Sequence, residues 1–143
     1  MSASLEQKNA NQRASRALDG NKHTKRYEKT KGGFLMRAYR NMVSRAKGIQ
    51  KRKAHLYRGI TVLPRETFYA WATGNAEFHR LFAEWEALGH DQKFTPSVDR
   101  IDSLGGYNLA NMRWITHSEN SRLGATSPRR KYADAQLRLA RAA

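Results

Sequence analysis

Three stretches of the chain carry apolar residues at helical spacing. In the first, Phe34, Leu35, Ala38, Met42, Val43 and Ala46 mark one face while Arg37, Arg40, Asn41, Ser44, Arg45 and Lys47 take the rest. That pattern predicts a helix from about 34 to 47 with Gly48 as its stop. The second begins at Pro64, whose missing N–H is harmless in a first helical turn, and its stripe is Phe68, Trp71 and Ala72. The third is the clearest: Phe78, Leu81, Phe82, Trp85 and Leu88 follow an i, i+3, i+4, i+7, i+10 series between a capping Asn75 and Gly89. Such spacing assigns these aromatics to a core rather than to a base-stacking platform. His79 falls on the polar side of this helix, and His90 lies beyond its end as an exposed loop residue.

From Phe94 onward the period changes. Residues 97–102 and 112–116 predict two strands, with Gly105-Gly106 as a turn and a long loop between them. A helix opens at His117 with Thr116 or Ser118 as cap, and Gly124 closes it. Trp114 and Ile115 alternate along the second strand, so one of the two packs under the helix. A further short strand is expected at 57–62. Residues 1–31 show few apolar anchors and predict an extended or transiently helical arm, cut off by Gly32-Gly33. The stretch from Tyr132 is expected to be helical.

Charge divides the chain in the same way. Twenty-seven Lys and Arg against twelve Asp and Glu give +15 at pH 7, and the excess sits at the two ends. Residues 1–58 hold sixteen basic side chains against three acidic, residues 59–125 six against eight, and residues 126–143 five against one. A balanced middle between two polycations fits a nucleic-acid partner, because each phosphate neutralised releases condensed counterions. Apolar residues are 39% of the chain, and no run reaches the roughly 18 that a membrane span needs. The stretch 34–58 lacks the broad apolar face of an interfacial helix, so no membrane role is expected. The N-terminus has no apolar signal segment, and the absence of cysteine excludes disulfides, zinc knuckles and a thiol nucleophile. A soluble intracellular protein is therefore expected.

The strand–loop–strand–helix segment holds the candidate chemistry. Hard divalent cations take oxygen ligands, with one or two from protein and the rest from water and phosphate. Asp99 offers a carboxylate on the first strand and Asn120 an amide oxygen on the helix that follows the second. If that helix crosses the hairpin, the two converge on one ion. Asn111, in the intervening loop, can brace it by bonding backbone groups.

The wording of this segment is more specific than its spacing. Thr95-Pro96-Ser97-Val98-Asp99-Arg100-Ile101-Asp102, then Gly106-Tyr107, then Asn111-Met112-Arg113-Trp114-Ile115-Thr116 and Glu119-Asn120 resemble the HNH (His-Me finger) endonucleases of bacteriophages. The likeness is to the branch whose first strand carries Asp-Arg-Ile-Asp, and it covers about residues 94–124. It implies a ββα-metal module, one Mg²⁺ or Mn²⁺ ion, and hydrolysis of DNA phosphodiester bonds by nicking or double-strand cleavage. It places Asp99 and Asn120 as metal ligands and Asn111 as the residue that orients the loop. The family's general-base histidine should stand at position 100, where this chain has Arg100. Arginine stays protonated at working pH, so Arg100 can clamp a phosphate but cannot activate water. His117, three residues before Asn120, is the nearest alternative base or ligand.

The expectation is thus an α+β protein: a ββα-metal (His-Me finger) module preceded by helices, with basic N- and C-terminal extensions. Its parts are a basic flexible arm at 1–33, a basic helical DNA-contact region at 34–58, helices and the HNH module at 59–125, and a basic tail at 126–143. Arg37, Arg40, Arg45, Lys47, Lys51, Arg52, Lys53, Arg58, Arg113 and Arg122 are the candidate DNA contacts. The catalytic candidates are Asp99, Arg100, Asn111, His117 and Asn120. DNA is the expected partner, RNA a second candidate, and a phage or host protein a third, in the cytoplasm of a bacterial host. The alternatives are a non-catalytic DNA- or RNA-binding accessory protein with a degenerate site, and a nuclease subunit that works only with a partner.

Overall fold

A computed structural model describes residues 4–20, 22–49 and 54–142. The chain is mixed α+β and forms two compact units that divide between Arg37 and Ala38. The candidate contacts Lys51, Arg52 and Lys53 lie outside the described residues.

In the first unit the expected arm is helical. Helix α1 spans Leu5–Asp19 and α2 spans Lys22–Glu28. Ser4 starts α1 by accepting the Gln7 N–H on its hydroxyl at 3.1 Å, a capping signal that outweighs the missing apolar stripe. Gly32-Gly33 does not break the chain either: helix α3 runs Lys31–Ala46 straight through both. Thr30 caps it, accepting the Gly33 N–H at 3.1 Å while donating to the Tyr27 carbonyl at 2.6 Å. A Cβ on Gly33 would lie 2.1 Å from that carbonyl oxygen, so glycine here permits a close approach rather than a turn.

The second unit contains the remainder of α3, a single helical turn α4 (Ala54–Tyr57), α5 (Arg65–Thr73) and α6 (Ala76–Ala87). Strand β1 (Pro96–Arg100) and strand β2 (Met112–Thr116) then pair antiparallel, followed by α7 (His117–Ala125) and α8 (Pro128–Ala142). The strand expected at 57–62 is absent. Tyr57 ends α4, and only Val62 makes an isolated bridge, to Tyr107. Backbone bonds from Tyr107 N–H to Thr61 O (2.8 Å) and from Leu63 N–H to Tyr107 O (2.9 Å) fasten this segment to the hairpin loop. Gly106 makes that possible, since a Cβ there would sit 2.1 Å from the Thr61 hydroxyl oxygen.

Helix α6 follows its pattern. Asn75 accepts the Phe78 N–H at 3.0 Å, and Phe78, Leu81, Phe82 and Trp85 are all buried, while Leu88 is exposed. These side chains close over one face of the sheet. Trp114 on β2 stacks on Trp71 (centroids 5.6 Å, 12° between planes) and tilts against Phe78 at 4.7 Å and Phe68 at 6.3 Å. His90 is not a free loop residue: its ring meets the edge of Trp85 at 4.5 Å, and its backbone takes a positive φ of 61°.

Candidate active site

The face of the hairpin away from that aromatic core carries the polar residues. Side chains alternate along a strand, so Ser97 and Asp99 share this face with their cross-strand partners Ile115 and Arg113. Thr116 accepts the Glu119 N–H at 3.3 Å, which starts α7 immediately at the end of β2 with no linker. The His117 N–H bonds the Thr95 carbonyl at 2.8 Å and ties the first turn of the helix to the entry of β1. Helix α7 then packs against the hairpin, and the Asn120 amide donates to the Ser97 hydroxyl at 2.8 Å.

A cavity of about 340 Å³ opens here. Asp99, Arg100, Arg113 and Asn120 all border it. Asn120 is held at Ser97, two residues along β1 from Asp99 and on the same face of the strand. The Asp99 side chain is only 13% exposed, and its Oδ2 accepts from Arg113 Nε at 2.8 Å. One carboxylate oxygen and one amide oxygen thus remain for a cation. That donor set fits Mg²⁺ or Mn²⁺ completed by water and phosphate, and it does not fit a caged site. Among the described residues no group of three or more His, Asp or Glu side chains gathers that could hold a metal alone.

Arg100 leaves the opposite side of β1 from Asp99, one residue on. Its Nη1 donates to two carbonyls of the loop, Ser103 at 2.8 Å and Gly105 at 3.0 Å. Its guanidinium carbon lies 5.1 Å from the Tyr57 ring centroid and 5.5 Å from that of Tyr107. Tyr107 is 3% exposed, and burial pushes its hydroxyl pKa up, against the opposing pull of the Arg45 and Arg100 charges.

Asn111 is the chief clasp of the loop. Its Oδ1 accepts the Asp102 N–H at 2.7 Å, and its Nδ2 donates to the carbonyls of Asp102 (3.0 Å) and Gly106 (2.9 Å). Every polar atom of the buried amide is used on loop backbone groups, of which the Asp102 carbonyl also accepts the Gly105 N–H at 3.0 Å. Asn111→Ala is expected to cost about 2–4 kcal/mol, because leaving one buried group unsatisfied costs about 1–3 kcal/mol and two lose their partner, the Asp102 N–H and the Gly106 carbonyl. Urea unfolding checks the stability, and amide hydrogen exchange should show the loss of protection concentrated at 101–107.

Two of the catalytic candidates do not border the cavity: Asn111, which clasps the loop, and His117. The position of His117 near Asn120 in sequence does not carry its side chain to the cavity; it is exposed and does not border it. The basic candidates are dispersed. Arg37 pairs with Glu28 at 2.9 Å in the first unit, Arg122 pairs loosely with Glu119 at 3.8 Å, and Arg40, Lys47 and Arg58 are exposed. Among the described ones, only Arg45 and Arg113 reach the cavity wall. Sequence reasoning overlooked Arg129 and Arg130, which also border it. The signal was there: Arg129-Arg130 follow Pro128, which starts a helix directly after the α7 stop. No protein-family model matches the chain, and no curated protein or solved structure matches it either.

Proposed function

We propose that the chain is a metal-dependent DNA endonuclease of the HNH (His-Me finger) type, with its ββα segment at about residues 94–124. The observation that carries this reading is the meeting of Asp99 from β1 and Asn120 from α7 at one arginine-bordered cavity. A Mg²⁺ or Mn²⁺ ion held by those two residues would neutralise charge on the phosphate and bind the leaving 3′ oxygen. Arg113, fixed by Asp99, orients a phosphate oxygen at the same wall. Arg100 holds the loop that carries Asp102 and Tyr107, and Asn111 fixes both ends of that loop. The basic ends of the chain, and the surface arginines and lysines between them, position the duplex through its backbone. The setting that fits is the cytoplasm of a phage-infected bacterium.

Neither Arg100 nor His117 supplies a positioned proton acceptor in this arrangement. Arg100 stays charged and is fastened to the loop, and His117 stands outside the cavity. A positioned base contributes about 10²–10⁴-fold, so turnover is expected to be slow. With hydroxide drawn from solvent, the rate should climb with pH by up to about tenfold per unit from pH 6 to 8. A bell-shaped profile centred near neutrality would instead reveal a working histidine. The decisive assay is nicking of supercoiled plasmid with Mg²⁺ or Mn²⁺ by wild type, Asp99→Ala and Asn120→Ala. Cleavage lost in both variants supports the nuclease, and tight binding without metal-dependent cleavage defeats it.

A second reading has its own observation. The Asp99 carboxylate is already paired with Arg113 at 2.8 Å, which favours a nucleic-acid-binding protein, for DNA or RNA, that no longer cuts. A subunit that cuts only with a phage or host partner would behave alike alone, and recovery of activity in an infected-cell extract separates the two.

A further inference from the structure

We propose that the cavity holds a second phosphate, distinct from the scissile one, gripped by Arg45, Arg129 and Arg130 on the wall that the hairpin does not supply. The site itself stands on its geometry; naming a polynucleotide backbone as the source of the phosphate rests on the nuclease reading.

Among the described residues, five guanidinium groups border this cavity, against the carboxylates of Asp99 and Asp102. Held together, such a surplus of like charge is unfavourable, and an anion between the groups relieves it. The arginines are also pre-set. Arg129 Nε donates to Leu56 O at 2.8 Å and its Nη2 to Arg58 O at 3.4 Å, while Arg130 Nε donates to Gly124 O at 3.3 Å. One edge of each fork is thereby fastened, and part of the ordering cost of gripping a ligand has already been met.

Arg45 is the most telling member. Its guanidinium lies over the Tyr57 ring at 5.6 Å, and its buried Nε has no hydrogen-bond partner among the described residues. The Tyr107 hydroxyl takes part of this guanidinium, and an oxyanion that reached Nε would meet the donor still unpaired. The grip comes from side chains rather than from the start of α8. The Arg129 and Arg130 N–H groups are already taken, at 3.1 Å by the Ser103 hydroxyl and at 3.2 Å by the Ser127 hydroxyl. The volume of about 340 Å³ leaves room for a sugar beside the phosphate. The wall therefore extends the site by a phosphate subsite built from α3 and α8, outside the ββα segment.

The test uses the full chain in EDTA, with a fluorescent DNA duplex titrated across a salt series. The double variant Arg45→Ala/Arg130→Ala is expected to weaken binding about tenfold and to lower the slope of log K against log salt by about 1–2. Arg129 is left intact because it clamps α8. Arg45→Lys/Arg130→Lys should retain most of the slope, and far-ultraviolet circular dichroism shows whether each variant is folded. In a second arm inorganic phosphate should raise the thermal midpoint of wild type and not of the alanine double variant. Unchanged affinity and slope with no phosphate effect overturn the proposal. Phosphate stabilisation with unchanged duplex binding overturns the polynucleotide source and leaves a site for a free phosphate ester. Loss of duplex affinity as expected, in a protein that never cleaves, keeps the subsite and defeats the nuclease. Cleavage by the double variant with wild-type affinity, slope and phosphate response does the reverse.

Discussion

Replacing Trp114 with alanine is expected to lower the stability of the 38–143 unit by about 3–5 kcal/mol, the range for deleting a large buried aromatic. Three things make this site severe. The side chain is 3% exposed, so nearly all its area is out of water. It is stacked on Trp71 of α5 and packed against Phe78 of α6, so one ring joins two helices to the sheet. It also stands opposite Val98 in a sheet of only two strands, which cannot hold its shape without a helix packed on it. A domain of this size has about 5–15 kcal/mol in hand, so the variant should approach unfolding near body temperature. Urea denaturation followed by far-ultraviolet circular dichroism measures it. Leu88→Ala, at an exposed position, should change stability by less than about 0.5 kcal/mol. A Trp114→Ala midpoint close to wild type would mean that the aromatic layer does not hold the hairpin.

Asp99→Ala is expected to slow metal-dependent cleavage by at least about a hundredfold. A metal ion at a phosphate is worth several kcal/mol of charge stabilisation, and each 1.36 kcal/mol is about a factor of ten in rate. The variant also frees Arg113 and removes one negative charge from an arginine-bordered cavity. Duplex binding measured in EDTA should therefore hold or tighten while cleavage falls. That opposition separates a lost ligand from a misfolded protein, which would lose both. Asn120→Ala should follow in the same direction, with an added loss from the broken bond to Ser97. Wild-type cleavage by Asp99→Ala would remove the basis of the nuclease reading.

Much of the helical framework was legible because burial and periodicity coincide there. Phe78, Leu81, Phe82 and Trp85 are buried at the spacing that predicts them, and Asn75 caps where a cap is needed. The hairpin was legible from the change to alternation, with β2 found at the expected 112–116 and α7 opening at once behind Thr116. What escaped depended on contacts between distant residues. Gly32-Gly33 has the look of a break, yet helix α3 runs through it and Gly33 lets Tyr27 come close. Residues 57–62 have strand composition but no neighbouring strand to pair with beyond Tyr107. The N-terminal helices lack an apolar stripe, so periodicity had nothing to register. At the candidate site, spacing alone does not separate the candidates: Asp99 and Asn120 border the cavity and His117 does not. Arg45, Arg129 and Arg130 come from segments far apart in the chain, and no local pattern announces that they share a wall.

The tether of Arg100 bears on any attempt to place a histidine at that position. An imidazole has neither the length nor the forked donors to hold the carbonyls of Ser103 and Gly105 together while lying between two tyrosines. Arg100→His alone would therefore trade a strut for a base, and the loop would slacken under the new group meant to act beside it. On the proposed nuclease reading, a fast enzyme built on this scaffold calls for redesigning the loop between β1 and β2 and the side chain together.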